Sequence, residues 1–285
     1  MDRTYKVRAS ISKVMLSATV ALYPPKRINF YSMMLKLLQI SAAAWILGET
    51  VHAHGFVQYI TANGKTYLGY DPGFRYQNSP PRVPGWYADN PDIGFVPPQS
   101  FQNPDIVCHK SASPGEEYIT VEAGSTISLQ WYTWPESHVG PIMDYLAPCP
   151  GSDCTTVDTN QLKFVKLAQK GLKPDVTSGT DWIKAWVVDD FIQNGFKWDV
   201  QIPRDIKSGA YVLRHEIMAL HGAWVPNGAQ AYPQCINLNV TSGGNTVVTT
   251  GTDPTTFYQA EDPGIHIDIY NGLTSYPFPG PALWR

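Results

Sequence analysis

Two of the seven histidines in this 285-residue chain, His54 and His138, stand where their neighbours allow metal chemistry. His54 follows Val51-His52-Ala53, whose small residues a signal peptidase accepts, so cleavage after Ala53 would leave a histidine at a free amino terminus. Its α-amine and imidazole can then grip one metal together, because an amine with an ordinary pKa of about 7.7–8.0 loses its proton to a metal at modest cost. A second imidazole opposite the first supplies three nitrogens roughly in a plane, which suits copper(II) better than tetrahedral zinc. His138, in Trp134-Pro135-Glu136-Ser137-His138-Val139-Gly140-Pro141, is the candidate. Taken singly, each histidine is better explained as an ordinary polar side chain.

The elements that must position such a site are strands. Tyr211 to His221 reads as one strand and Gln230 onward as the next, joined by a loop containing Gly and Asn. Antiparallel pairing brings His221 near Gln230 and Tyr232, and residues two apart in a strand share a face. The plainer readings are a buried core phenol for Tyr232 and a satisfied buried hydrogen-bond pair for His221 and Gln230. Further β-branched and aromatic runs, Thr126 to Tyr132, Phe196 to Ile202, Cys235 to Val240 and Ile265 to Tyr270, lie between Pro, Gly, Asn and Asp punctuation. No long 3.6-residue apolar period follows residue 53; the best helical candidate is the turn Asp189-Asp190-Phe191-Ile192 before Asn194-Gly195. The expectation is an all-β chain, an immunoglobulin/fibronectin III-like antiparallel β-sandwich with long loops and short helical turns. That fold is silent about function.

Residues 1–53 differ from the rest, holding seven of the 21 basic side chains but only two of the 24 acidic ones. Met33-Met34, Lys36, the apolar stretch Leu37 to Leu47 and Val51-His52-Ala53 form a secretory signal peptide, with residues 1–32 an upstream extension. The apolar run is shorter than the roughly 20 residues a membrane span requires. The expected mature domain is 54–285, a single unit that retains 14 basic and 22 acidic side chains and so a charge of roughly −8. Nucleic acid is an unsuitable partner for it. A neutral polymer such as a polysaccharide meets no electrostatic penalty and matches 16 Tyr and nine Trp. Four cysteines in an exported chain imply two disulfides with three possible connectivities. Cys149 and Cys154 are close enough for a local loop, leaving Cys108 for Cys235; no Cys-x-x-Cys pair suggests zinc. Asn239-Val240-Thr241 is a glycosylation acceptor triplet, with Asn239 in an apparent strand.

An ordered set of motifs then resembles one family closely. The set comprises His54-Gly55, Pro104-Asp105-Ile106-Val107-Cys108-His109, Trp134-Pro135, Ser137-His138, Gly140-Pro141, Tyr211 to Ile217, Ala219-Leu220-His221, Asn227-Gly228-Ala229-Gln230, Tyr232-Pro233-Gln234-Cys235 and Pro279-Gly280-Pro281. Together they resemble the fungal family 9 auxiliary-activity lytic polysaccharide monooxygenases, formerly glycoside hydrolase family 61, over nearly all of 54–285. The resemblance implies one copper per chain in a histidine brace of His54 and His138, with Tyr232 axial and His221 and Gln230 hydrogen-bonding beside the metal. It implies a secreted monomer that cuts cellulose or another β-glucan oxidatively at C1 or C4, using O2 or H2O2 and an external electron donor, either a small reductant or a secreted redox protein. It also implies that Tyr76 and Tyr276 stack on the sugar; the alternative is that either anchors its loop against the sandwich. Gly222 departs from the family pattern, in which a small polar residue often follows the residue matching His221. His215 and His109 read as polar residues beside the core or a disulfide.

Rival chemistries are weaker. A non-catalytic secreted carbohydrate-binding protein would share the sandwich and the tyrosines but has no use for two histidines, a processed terminus and a phenol together. A hydrolytic glycosidase needs facing carboxylates, and nothing pairs Asp189, Asp190 or Glu216 across a binding face. His215-Glu216 is followed by Ala219 where a zinc protease needs histidine.

Overall fold

The structure, a computed structural model, describes residues 54–284 apart from 175, 177 and 180; the expected signal peptide and its cleavage point at Ala53 lie outside the described residues. Among the described residues, nine strands form two sheets. The smaller holds β1 (Val57–Ala62), β2 (Lys65–Leu68), β4 (Thr126–Trp131) and β7 (Lys197–Gln201) in the order β2-β1-β4-β7. The larger holds β3 (Ile119–Glu122), β5 (Ile142–Pro148), β6 (Val165–Lys170), β8 (Gly209–Ala219) and β9 (Gln230–Thr241) in the order β3-β9-β8-β5-β6. Every pair is antiparallel except β3 with β9, which run parallel. The all-β sandwich expected from the sequence is present, with that one departure. Two short helices, α1 (Asp105–Cys108) and α2 (Val187–Gln193), interrupt the loops, and α2 contains the helical turn expected at Asp189–Ile192.

The larger sheet is covered on both faces, which explains why β8 is buried almost throughout rather than at alternate positions. Leu213, Ile217 and Ala219 face a cluster shared with Ile60, Leu129, Trp131 and Val200 of the smaller sheet. Val212, Met218 and Leu220 face a second cluster, with Phe101, Tyr145 and Phe164. Arg214 and Glu216 lie two apart on β8, both fully buried, and form a bidentate pair at 2.8 and 2.9 Å. Arg214 also donates to the carbonyls of Ile106 and Val107, pinning α1 to the sheet. The disulfide Cys108–Cys235 ties α1 to β9, and Cys149–Cys154 closes the loop after β5.

One expected strand is absent. Ile265 to Tyr270 is a series of turns: the amides of Ile265 and His266 bond to the carbonyl of Asp262, and that of Ile267 to Ala223. The β-branched and aromatic run that suggested a strand does alternate in burial, since Ile265 and Ile269 are inside and Tyr270 is outside. No neighbouring edge pairs with it, and turn bonds consume its amides instead. The strands Val57–Ala62, Ile119–Glu122, Ile142–Pro148 and Val165–Lys170 were not anticipated from the sequence.

Candidate metal centre

Three segments converge on the candidate site, each through a local constraint. His54 enters at the start of β1, and Gly55 beside it lies so close to the Thr133 carbonyl that an added Cβ would sit 2.0 Å from the oxygen. Only glycine permits that approach. Tyr132 donates its amide to the Phe56 carbonyl, and the two rings stack at 5.5 Å, so the His54 segment is laid along residues 131–134. From there Trp134 leads into the turn that carries His138, whose amide bonds to the Pro135 carbonyl while its own carbonyl accepts from the Trp134 indole at 2.9 Å.

The next contact brings in the larger sheet. The Leu220 amide bonds to the Val139 carbonyl at 2.7 Å, and Gly140 passes so close to the Met218 carbonyl that a Cβ there would stand 1.9 Å from it. The 139–141 segment thereby runs along the end of β8 and sets the His138 and His221 rings 4.0 Å apart. Pairing of Ala219 with Gln230 and of Ile217 with Tyr232 places both β9 residues beside them. The Tyr232 hydroxyl donates to Gln230 Oε1 at 2.7 Å, as a shared strand face allows.

The His54 ring lies 5.3 Å from that of His138 in an edge-on arrangement and 5.6 Å from that of Tyr232. Trp134, 4.8 Å from Tyr232, and Phe95, 6.0 Å from His54, wall the group. Burial pushes the His138 imidazole down to about 3, assisted by His221 and His54, so the ring stays neutral near neutral pH. His54 and His221 are also lowered by burial; for His54, Asp92 opposes the effect and Lys110 adds to it. Burial raises the Tyr232 phenol far above its ordinary range, so it remains protonated. Neutral imidazoles are in the protonation state that metal binding by histidine requires.

These residues fit a metal. Among the described residues no three His, Cys, Asp or Glu side chains converge on one position, so a metal between His54 and His138 needs its third nitrogen from the main chain. A processed His54 has an α-amine to supply it. His221 adds a second observation: its Nδ1 is buried with no hydrogen-bond partner among the described residues, a polar atom left for something outside the chain. A cavity of about 540 Å³, lined by Trp198 and Trp284 along β6 and β7, shares no residue with this cluster.

Of the candidate sugar-stacking residues, Tyr76 is 76% exposed at the end of a 3-10 turn. Tyr276 is not available for stacking. It is 8% exposed, its ring is wedged between Trp186 and Phe278 at 5.1 and 5.0 Å, and its hydroxyl donates to the Gly264 carbonyl at 2.7 Å. It is the loop anchor that the sequence also allowed. An exposed ring the sequence reading passed over, Tyr270, donates its hydroxyl to the His221 carbonyl at 2.8 Å and so rims the site. The apparent strand Ile265 to Tyr270 hid it, although the outward phase of that alternation was the available signal. Phe95 had no such signal, because only the fold brings it to His54.

His215 and His109 are structural, as read from the sequence. The Trp131 indole donates to His215 Nε2 at 3.1 Å, leaving the proton on Nδ1 for Asp144 Oδ1 at 2.7 Å. His109 bridges the Gly94 carbonyl and the Lys110 amide. Asn239 is exposed on β9.

Comparison with known proteins supplies an independent observation. The family model described as "Auxiliary Activity family 9 (formerly GH61)" matches residues 54–277. An AA9 family lytic polysaccharide monooxygenase F of Malbranchea cinnamomea is 50% identical over 244 residues, spanning 86% of this chain and 96% of that protein. An AA9 family lytic polysaccharide monooxygenase H of Thermothelomyces thermophilus is 51% identical over 248 residues, 85% of this chain and 70% of that protein. Among solved structures, the extended catalytic domain of H. jecorina LPMO9A superposes with a TM-score of 0.76 at 44% identity, covering 81% of this chain and 90% of that one.

Proposed function

The chain belongs to Auxiliary Activity family 9, and from that premise we propose that it holds one copper between His54 and His138 and cleaves cellulose or a related β-1,4-glucan. It is an enzyme of the lytic polysaccharide monooxygenase type, and such enzymes cut polysaccharides by oxidation. The observation that carries the copper reading is the convergence of two neutral imidazoles and one buried phenol on a single position.

In this reading the polypeptide is exported, processed after Ala53, and acts as an extracellular monomer. The His54 amine and imidazole and the His138 imidazole would hold the metal, with the Tyr232 phenol beside them. When bound, copper would supply one-electron redox chemistry toward O2 or H2O2 with electrons from an external donor, for oxidative cleavage at C1 or C4 of the glucan. The residues of the chain divide the remaining work. His221 presents a buried ring nitrogen with no partner among the described residues, suited to donating or accepting a proton at the site. Gln230, held by the Tyr232 hydroxyl, orients that phenol beside the histidines. Trp134 and Phe95 exclude water from the inner side of the ligands. Tyr76 offers an exposed ring to a sugar face.

The test is to express the protein with authentic processing, confirm His54 as the amino terminus by mass spectrometry, load copper, and assay cellulose with ascorbate. Lactones, aldonic acids or 4-ketosugars are expected, and they should vanish when one extra residue precedes His54. Hydrolytic sugars alone, or copper binding indifferent to the extra residue, would overturn the brace.

A further inference from the structure

The nine-residue span from His221 to the start of β9 contains a feature that the proposed site does not use. Trp224 is 57% exposed, and no hydrogen bond or aromatic ring contact among the described residues engages its indole. An indole left so open has apolar area still to bury, and a partner that covered it would gain that burial. The loop that carries it is tightly built. Ala223 is buried, its amide bonds to Leu220 and its carbonyl accepts from Ile267. The amides of Val225 and Gly228 close two successive turns onto Gly222 and Val225.

The two arms of this loop touch through glycine. A Cβ on Gly228 would stand 1.8 Å from the Gly222 carbonyl, and one on Gly222 would stand 2.8 Å from the Gly228 carbonyl. Gly222 is one position at which the sequence departs from the family resemblance described above. With no side chain there, the loop closes on itself and residues 224–227 are left outside, Asn227 taking the left-handed turn at φ 61°. The indole therefore has no route inward. Its Cα lies at most about 10 Å from that of His221, since three residues extend no further.

Tyr270 stands on the same rim, its hydroxyl fastened to the His221 carbonyl and its ring packed edge-on against Trp182 at 5.1 Å. Two exposed aromatic rings thus leave the protein beside the buried, unpartnered nitrogen of His221. Charged side chains are absent from residues 221–230, so nothing in this loop selects an ionic partner. A flat apolar ring in a neutral surround is complementary to the CH face of a pyranose.

We propose that Trp224 is a glucan-positioning residue, a stacking platform on the His221 side of the metal site that holds a chain of the insoluble polymer across the histidines. The inference rests on the function proposed above and adds to it the residue that sets retention on the polymer. Because stacking needs no metal, it is tested on metal-free protein. Wild type, Trp224→Ala and Trp224→Tyr are each partitioned against microcrystalline cellulose, with thermal melting and copper titration run in parallel. Trp224→Ala is expected to lose about tenfold in partition, the size of one aromatic stacking contact, while Trp224→Tyr stays within about threefold of wild type. Melting temperature and copper affinity should be unchanged in both, since the side chain neither fills the core nor touches a ligand. Wild-type partition by a Trp224→Ala protein that melts normally would refute the proposal. If wild type yields oxidised sugars with copper while the Ala variant partitions normally, this inference fails alone; if wild type yields none, the function it rests on fails first.

Discussion

Acid should weaken this fold through His109, and the size of the effect can be worked from its surroundings. His109 is 1% exposed; its Nδ1 accepts the Lys110 amide and its Nε2 donates to the Gly94 carbonyl, both at 2.9 Å. A second proton must go onto Nδ1, which would break the first bond and bury a charge beside Lys110. Burial, with Lys110 assisting and the Gly94 bond and Asp92 opposing, lowers the imidazole from 6.5 to about 4. Between those values the unfolded chain binds a proton that the folded chain refuses. The contribution is complete above pH 6.5, shrinks as pH falls, and is gone by about pH 4. At pH 5 the loss relative to pH 8 is about 2 kcal/mol, or about 4–8 °C in melting temperature for a domain of this size. His54, His138 and His221 are lowered too and slope the same way. The assay therefore compares wild type with His109→Gln, both metal-free in chelator, melted at pH 8, 6, 5 and 4. The variant should be less stable at pH 8 and lose about 4–8 °C less on going to pH 5. Equal losses in the two proteins, or an NMR titration placing His109 near 6.5, would refute the reasoning. The consequence reaches the site, because the Gly94 that His109 holds adjoins Phe95, which walls His54.

Three further outcomes follow from the buried contacts. Arg214→Met strands the Glu216 carboxylate and severs the bonds to Ile106 and Val107, and should cost about 3–5 kcal/mol by urea denaturation, with Glu216→Leu added to it recovering a large part. Replacing Cys108 and Cys235 by Ser opens a separation of 127 residues and should cost about 4–5 kcal/mol, whereas replacing Cys149 and Cys154, five residues apart, should cost about 2; melting of the two double variants orders them. Tyr232→Phe removes the bond to Gln230 Oε1 and should cost about 1 kcal/mol of stability while lowering the yield of oxidised sugars by about tenfold in product chromatography.

Much of the site was legible before the fold because its chemistry is written in residue types and short spacings. A histidine after an expected processing point, glycine directly after it, and a Gln-x-Tyr step on one strand face are local features of the sequence. The strands β4, β7, β8 and β9 announced themselves by β-branched and aromatic runs between turn residues, and their pairing brought His221 to Gln230 and Tyr232. Other features depended on distant chain. Whether Ile265 to Tyr270 is a strand turns on whether an edge is free to pair with it, and local alternation cannot report that. Tyr276 and Tyr270 are both tyrosines in late loops; only the packing of Trp186 and Phe278 around the first, and the His221 carbonyl beneath the second, makes one an anchor and the other a rim. Trp224 was one tryptophan among nine until the closed glycine contact between residues 222 and 228 turned it outward. By itself the sequence determined which side chains can bind a metal, since donor chemistry belongs to the residue. The tertiary structure alone decided which of them meet and which rings face water, because burial is settled by segments that lie far apart in the chain.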